Sequence, residues 1–235
     1  HEFAKNDLIT TAFAPHAPYT VTDQGFKDIL SSAQELGIPI HLHLHETQDE
    51  VQSALDETGI RPIERLHKLG LINNLLQAVH MTQLTQSEIS LLAKNGVQIA
   101  HCPDSNLKLA SGFCPVSELR DANINVSVGT DSVASNNNLD MLAELRSAAL
   151  LAKGISGKAT TITAGEALEM GTINGAKFLG LDDKIGSLEI GKQADLISVD
   201  LSAPNFQPVH NPLSQLIYSA SGHQVDNVWI KGRQK

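Results

Sequence analysis

Polar and apolar residues alternate along residues 38–47, and histidine takes every second position there. A period of two is typical of a β-strand. It places the histidines on one predicted face and the aliphatic residues between them on the other. The histidines are His41, His43 and His45. Neutral imidazole is the commonest metal ligand in proteins, so this face is a candidate metal site. A polar face on an edge strand, or a run like an expression tag, would give the same alternation.

Short apolar runs elsewhere predict four further strands, at residues 8–14, 76–81, 97–101 and 125–129. Helical patterns follow the strands, at residues 23–36, 47–57, 62–69, 85–95, 116–123, 139–152 and 163–179. Residues 102–112 are predicted to form a long polar loop. Repeated strand–helix units indicate parallel strands with helical crossovers, in an open sheet or a barrel. Five strands do not close a barrel of eight.

The strand–helix pattern of the sequence ends at about Asp183. Residues 185–195 are rich in turn-forming residues, and strands are predicted at residues 196–199 and 227–231. This part is predicted to be a small β appendage. The polar start, residues 1–7, is interpreted as the continuation of an upstream segment.

Composition excludes some classes of function and favours others. The chain has 235 residues and a formal net charge of −9, and no basic patch, which argues against nucleic-acid binding. No apolar run reaches membrane-spanning length. Two cysteines are too few for a disulfide framework and suggest a reducing, cytoplasmic compartment. Ten histidines beside 17 Lys+Arg point toward metal or proton chemistry.

Ionisable residues recur where the predicted strands end. In barrels, catalytic groups lie at the carboxyl ends of the strands. His43 and Glu46 form a His-x-x-Glu pair there, which suits a divalent metal together with proton transfer. The residues at these ends are His16, His43, Glu46, His80, His101 and Asp131.

Several of these residues have a structural interpretation as well. His80 has apolar neighbours and fits a core histidine, and Asp131 fits a helix cap. Residues 136–138 are three asparagines that could cap the helix from residue 139. The segment 101–109, with Asp104 and Lys108, could position a substrate or could be a surface connection.

Three other residues receive structural interpretations. Cys102 is interpreted as a small packed residue rather than a thiolate. His67 and His223 are predicted to be solvated.

Taken together, the motifs resemble those of the amidohydrolase superfamily. The ordered set is Pro15-His16-Ala17-Pro18-Tyr19, His43-x-x-Glu46, His80, His101-x-Pro103-x-Ser105-Asn106-x-Lys108-Leu109, Gly129-Thr130-Asp131 and the ending Gly186-Ser187-Leu188-Glu189-Ile190-Gly191-Lys192. Within the superfamily the chain is most similar to 5′-methylthioadenosine/S-adenosylhomocysteine deaminases and their triazine-hydrolase relatives.

The resemblance implies a (β/α)8 barrel of the metal-dependent hydrolase kind with a small β-sandwich built from both chain ends. On this basis residues 1–183 are expected to hold about strands four to eight of the barrel. Residues 184–235 are expected to be the C-terminal part of the sandwich. The first-strand His-x-His pair is absent, so the sequence is expected to be the C-terminal part of a longer enzyme.

The resemblance also assigns roles to five residues. His43 and Asp131 would bind a divalent metal, most simply zinc, and His80 would contact it directly or through water. Glu46, His80 and Asp131 would be catalytic. His16, Glu46 and Asp131 would bind substrate.

The implied activity is hydrolytic deamination of an adenine nucleoside to its inosine analogue and ammonia. The partner would be a small nucleoside or heterocycle, and a homo-oligomer is possible within the family. Three alternatives stay open: a related enzyme acting on guanine, cytosine or triazine rings, an inactive fragment with a structural role, and an open α/β binding protein with a histidine-rich cleft.

Overall fold

A computed structural model describes residue 6 and residues 8–235, and within them a parallel sheet lies beneath the candidate site. Its strand order is β1-β2-β3-β4. The strands are β1 Ile40–Leu44, β2 Leu76–His80, β3 Gln98–His101 and β4 Val126–Val128. All neighbouring pairs are parallel. The predicted parallel strands at these four places are therefore confirmed.

Helices connect the strands and continue beyond them. They are α1 Asp23–Leu36, α2 Gln48–Thr58, α3 Pro62–Lys68, α4 Gln86–Lys94, α5 Pro103–Lys108, α6 Val116–Asp121, α7 Met141–Ser156, α8 Ala164–Met170, α9 Ile173–Phe178 and α10 Pro212–Tyr218. The crossovers pack their apolar residues against the sheet in one large core. This arrangement leaves the carboxyl ends of the strands for polar residues.

Local sequence signals fix several helix ends. The Thr22 hydroxyl accepts a hydrogen bond from the first turn of α1, and Gly37 ends that helix with φ 64°. A positive φ there favours glycine, which has no Cβ to clash. At α4, Thr85 and Glu88 form the reciprocal capping box that their spacing predicts.

The strand predicted at residues 8–14 is not formed. Phe13 makes a single parallel bridge to Ile40, and Leu8 and Ile9 are 58 % and 42 % exposed. The segment still runs beside β1, because the amide of His43 donates to the carbonyl of His16. The apolar run predicts a buried strand, but Leu8 and Ile9 lie on the surface. Of the predicted polar segment at residues 1–7, all but residue 6 lie outside the described residues.

Two other predictions of local structure were wrong. The segment predicted as a loop at 102–112 contains the helix α5, which Pro103 opens at a position where its missing N–H costs nothing. The single helix predicted at 163–179 is interrupted between α8 and α9, because Thr172 has the non-helical angles φ −126° and ψ −97°. Gly171 beside it lies so close to Leu145 that a Cβ would stand 2.9 Å from that side chain.

The cap of α7 also differs from the prediction. Asp140, rather than the three asparagines before it, accepts hydrogen bonds from the amides of Leu142 and Ala143. An aspartate immediately before the first helical residue is a favourable cap. The asparagines are thereby free for other contacts.

An antiparallel sheet occupies the C-terminal part, with the strand order β5-β6-β7. Its strands are β5 Leu196–Val199, β6 Val225–Ile230 and β7 Arg233–Gln234. Helix α10 joins this region to the main core, where Phe206, Ile217 and Ala220 are buried. Arg146 of α7 donates hydrogen bonds to the carbonyls of Ile217 and Ala220.

Within the described part of the chain, no helix has the length and apolar character needed to cross a bilayer.

Candidate active site

Three potential metal ligands meet at the carboxyl ends of the parallel strands. One ligand atom from each of His43, His80 and Asp131 lies within 4.8 Å of the other two. His43 Nε2 is 3.9 Å from Asp131 Oδ1, and the rings of the two histidines stack with centroids 5.2 Å apart. The parallel register aligns the end of β1 with His80 of β2, which brings the two imidazoles together.

His43 is oriented by the backbone beside it. Its Nδ1 lies 2.7 Å from the carbonyl oxygen of His16. A carbonyl can only accept, so Nδ1 carries the hydrogen and Nε2 keeps a free lone pair. That lone pair faces the carboxylate of Asp131.

His80 is held in the same way by a side chain. Its Nδ1 lies 2.8 Å from Asn106 Oδ1, which leaves Nε2 as the free nitrogen. Burial lowers the pKa of His80, although the carboxylate of Glu46 opposes the shift. The imidazole is therefore neutral at pH 7, the form that binds metals. Its backbone has φ 73°, a strained value for a non-glycine residue.

Asp131 offers one oxygen to the site and keeps the other bound to the protein. Oδ2 accepts hydrogen bonds from the hydroxyls of Ser105, at 2.7 Å, and Ser135. Burial alone would raise the pKa of Asp131, but these hydrogen bonds and the nearby histidines lower it. Asp131 also has a strained φ of 59°. Strain of this kind is common at functional sites.

This donor set fits a divalent ion such as zinc. Ligand atoms of one zinc lie about 2.0–2.2 Å from it, so two donors that share it lie within about 4.4 Å of each other. The pair His43 and Asp131 meets that limit at 3.9 Å, and the widest pair of the cluster needs only a small movement. Each ligand also has its second polar atom tied to the protein, an arrangement that orients metal ligands.

Glu46 lies next to this cluster. Its Oε2 is 3.7 Å from His80 Nε2, and its Oε1 accepts from Ser111 Oγ at 3.2 Å. The backbone that carries it is held by Glu50, whose carboxylate accepts the amide hydrogens of His45 and Glu46 at 3.0 and 2.7 Å. A carboxyl group therefore faces the same space as the free imidazole nitrogens.

His16 borders the site from the segment beside β1. Its exposed ring contacts the ring of His43 edge-on, with centroids 4.9 Å apart. The predicted residues His16, His43, Glu46, His80 and Asp131 thus lie in one cluster. His101, also predicted at a strand end, is fully buried below it, and burial lowers its pKa to about 3.

The prediction that three histidines share one face of β1 was wrong for His45. Strand β1 ends at Leu44, and His45 turns away with φ 50°. Its buried ring accepts the amide hydrogen of Ile63 at Nε2 and lies 3.0 Å from the carbonyl of Gln83 at Nδ1. Burial lowers its pKa to about 4. The alternation of faces holds only while the strand continues, so His45, which follows the end of β1, has a structural role instead of a place in the site.

Replacing His45 with alanine should destabilise the fold and leave metal binding by the folded protein intact. The substitution opens a cavity and leaves the amide of Ile63 without a hydrogen-bond partner. The two effects together should lower the free energy of unfolding by about 2–4 kcal/mol. Urea unfolding checks the free energy, and elemental analysis of the folded fraction checks the metal. His67→Ala on the exposed face of α3 is the control, with an expected change within about 0.5 kcal/mol. Loss of metal without loss of stability would contradict the structural role.

His41 stays on the same face as His43 but contacts apolar and amide groups. Its ring meets that of Phe178 edge-on, with centroids 5.7 Å apart, and Nδ1 lies 3.4 Å from Gln77 Oε1. Burial is the largest cause of its lowered pKa. His41 is therefore not part of the candidate metal site formed by His43, His80 and Asp131.

The sequence placed Ser105 and Asn106 in a family motif without a role, and it did not single out Ser111, Ser135 or Glu50. Ser105, Asn106 and Ser135 bind the ligands, Ser111 binds Glu46, and Glu50 holds the turn before it. Polar residues inside a segment predicted as a loop were the available signal. Their buried partners come from other strands, so the sequence alone could not identify them.

The structure also places Cys102, two further histidines and Lys108. Cys102 is buried and burial raises its thiol pKa, which supports the packed interpretation. His67 and His223 are exposed as predicted. Lys108 donates hydrogen bonds to the carbonyl of Ala134 and to the side chain of Asn137, so it joins the end of α5 to the loop after β4.

Glu144 of α7 joins α5 to the loop after β4, the two segments that carry most of the orienting groups. It is completely buried, accepts from the side-chain amide of Asn136 and lies 3.3 Å from the amide nitrogen of Asp104. Burial and the neighbouring Asp104 raise its pKa to about 8. The first turn of α5 and the loop after β4 therefore share one buried carboxyl group.

We expect this carboxyl group to make stability fall as the pH rises from about 4.5 to about 8. Its folded pKa exceeds its unfolded pKa, so the folded state binds more protons in that interval and loses stability as they leave. Comparing urea unfolding of the wild type and Glu144→Gln at pH 6.5 and 8.5 checks this. The wild type should lose more free energy of unfolding than the variant. An equal loss in both would contradict it.

The protein is an α/β protein with a parallel β-sheet. The His–His–Asp cluster at the carboxyl edge of that sheet is a candidate metal-dependent active site. Residues 2–235 match the Amidohydrolase family. The chain belongs to this family.

Individual relatives agree with that membership. The chain is 51 % identical over 232 residues to a 5-methylthioadenosine/S-adenosylhomocysteine deaminase of Teredinibacter turnerae, across 99 % of this chain and 52 % of the relative. It matches a zinc-bound adenosine deaminase structure from Xanthomonas campestris at 54 % identity and a TM-score of 0.97, across all of this chain and 53 % of that one. The chain thus spans about half the length of the relatives it matches.

A zinc complex of atrazine chlorohydrolase from Arthrobacter aurescens is also similar. It has 27 % identity and a TM-score of 0.88, over 99 % of this chain and 53 % of that chain. The two kinds of relative named in the sequence resemblance are therefore both found.

Proposed function

We propose that this chain forms part of a hydrolytic deaminase that converts an adenine nucleoside, 5′-methylthioadenosine or S-adenosylhomocysteine, to its inosine analogue and ammonia. The observation that carries the proposal is the cluster of His43, His80 and Asp131 beside Glu46. The adenine-nucleoside deaminases among its relatives supply the substrate class, and their identity is about twice that of the triazine hydrolase.

The chemistry replaces the exocyclic amine at C6 of adenine by oxygen from water. A C–O bond forms, a C–N bond breaks, and the amine leaves as ammonia. A zinc ion held by His43 and Asp131 would lower the pKa of a bound water to about 7. Asp131, held in place by two serines at Oδ2, would also accept a proton from the attacking water through its carboxylate and pass it to the departing amine.

The other residues act on the substrate. Glu46 donates a proton to a ring nitrogen, so that negative charge does not build up on the purine. His80, next to Glu46, faces the carbon under attack and stabilises the oxygen that forms there. The exposed ring of His16 contacts the nucleoside at the rim of the site.

For the whole molecule, we propose that residues 1–183 are the later strands of a (β/α)8 barrel and residues 184–235 one part of a β-sandwich. The longer protein would then supply the remaining metal ligands. A cytoplasmic location and a homo-oligomeric state stay predictions.

The test is ammonia release by the complete gene product, with a panel of nucleosides and heterocycles. We expect turnover of methylthioadenosine or S-adenosylhomocysteine, and its loss after chelation with recovery on adding zinc. Turnover only of guanine, cytosine or a triazine would move the assignment to another ring. A metal-loaded protein that turns over none of the panel would reject the proposal.

A further inference from the structure

Two buried polar atoms lie directly below His80 without a partner. They are His101 Nδ1 and Asn106 Nδ2, and among the described residues neither makes a hydrogen bond. Their residues are 3 % and 2 % exposed. A buried polar group without a partner costs about 1–3 kcal/mol, so native proteins satisfy nearly all of them.

A small cavity adjoins both residues. His101 and Asn106 line it together with a shell that includes Phe113, Cys114 and Val116, and it has about 10 Å³ of room for a water molecule. That is about the space one buried water requires. The amide of Asn106 can donate to such a water, and the water can donate to Nδ1 of the neutral His101.

The orientation of the Asn106 amide decides the chemistry of His80. With Oδ1 toward His80, the amide accepts the hydrogen of Nδ1 and leaves the Nε2 lone pair for the site. With the amide reversed, its NH2 group would face His80, the hydrogen would move to Nε2, and that nitrogen could no longer bind an ion. In the first orientation the NH2 group of Asn106 is the atom without a partner, and a water in the cavity can accept a hydrogen bond from it.

We propose that Asn106 is a positioning residue which holds His80 in the tautomer that carries its hydrogen on Nδ1, and that one buried water joins its NH2 group to His101. The chain of contacts runs from His101 through the water and the Asn106 amide to His80. It acts on the free nitrogen of His80 without touching the substrate. The inference rests on the proposed function for its consequence, but its geometry can be tested without turnover.

The first experiment reads the tautomer. The complete protein is labelled with ¹⁵N in histidine only, freed of metal, and studied by NMR at pH 8, where His80 is neutral because burial lowers its pKa. We expect the wild type and Asn106→Asp, which keeps the acceptor, to carry the His80 hydrogen on Nδ1. We expect Asn106→Leu, which lacks the acceptor, to shift hydrogen to Nε2.

Two results would overturn the proposal: a wild-type His80 with its hydrogen on Nε2, or an Asn106→Leu protein with the wild-type tautomer. Asn125→Leu is the matched control, because the side-chain amide of Asn125 donates to Gln98 and to the carbonyl of Asn174 rather than to the site. It should keep the His80 tautomer.

A second measurement keeps the proposal falsifiable if Asn106→Leu does not fold. A crystal structure of the wild type should show a water within hydrogen-bond distance of both His101 Nδ1 and Asn106 Nδ2. A dry cavity would overturn the role of the water. His101→Phe, which removes one partner of that water, should leave the cavity without an ordered water. An ordered water that keeps its place in that variant would overturn the role of His101.

Kinetics separate this inference from the proposed function. We expect Asn106→Leu to lower kcat about 10- to 100-fold with little change in KM, as for other groups that orient ligands, and Asn106→Asp to recover most of it. A wild type without deaminase activity would reject the function and leave the tautomer result standing. An active wild type whose Asn106→Leu variant keeps both tautomer and kcat would reject only this inference.

Discussion

Replacing Asp131 with asparagine should lower kcat by about 10²–10⁴, the usual contribution of a positioned proton acceptor. Asparagine can still accept from Ser105 and Ser135, so the loop should keep its shape. It has no negative charge and cannot take a proton from water. It should also weaken metal binding, because a neutral amide replaces a carboxylate whose low pKa keeps it ionised.

The two roles of Asp131 can be separated with excess zinc. We expect excess zinc to restore occupancy, measured by elemental analysis, while kcat stays low. Recovery of wild-type kcat at full occupancy would show that Asp131 is a ligand only and would reject its role in proton transfer. Asp121→Asn, at the exposed end of α6, is the control and should behave as the wild type.

Replacing Glu46 with glutamine should also lower kcat by about 10²–10⁴, because an amide cannot supply an acidic proton to the purine ring. Glutamine is nearly isosteric and can still accept from Ser111, so the side chain should stay in place. Metal content should not change, since Glu46 lies outside the cluster of His43, His80 and Asp131.

A Glu46→Gln variant with wild-type kcat would contradict this role and show that another group donates the proton. Glu35→Gln on the exposed side of α1 is the matched control.

The site depends on contacts between loops more than on the ligands alone. Ser105 and Asn106, in α5, reach Asp131, which follows β4, and His80, the last residue of β2. Glu144 and Lys108 tie the same segment to the loop after β4. A change in any of these would be expected to act on the metal ligands through their orientation.

Much of the fold could be predicted because it depends on local patterns. The period of two gave β1, and Thr22, Gly37 and Thr85 fixed the ends of α1 and α4. The predictions failed where a neighbour decided the outcome. Residues 8–14 are apolar enough for a strand but remain exposed, and the helix expected at 163–179 breaks at Gly171, where Leu145 lies close.

The sequence by itself determined the class of chemistry, because histidine and carboxylate residues at the ends of successive strands fall on the same edge of a parallel sheet whatever the details of packing. Only the tertiary structure decided which imidazoles take part. His43 and His80 were kept at that edge by acceptors from distant segments, while His45, two residues after His43, was turned into the core. Hydrogen-bond partners far apart in the chain and the turn at the end of a strand are set by the packed fold, and no local pattern records them.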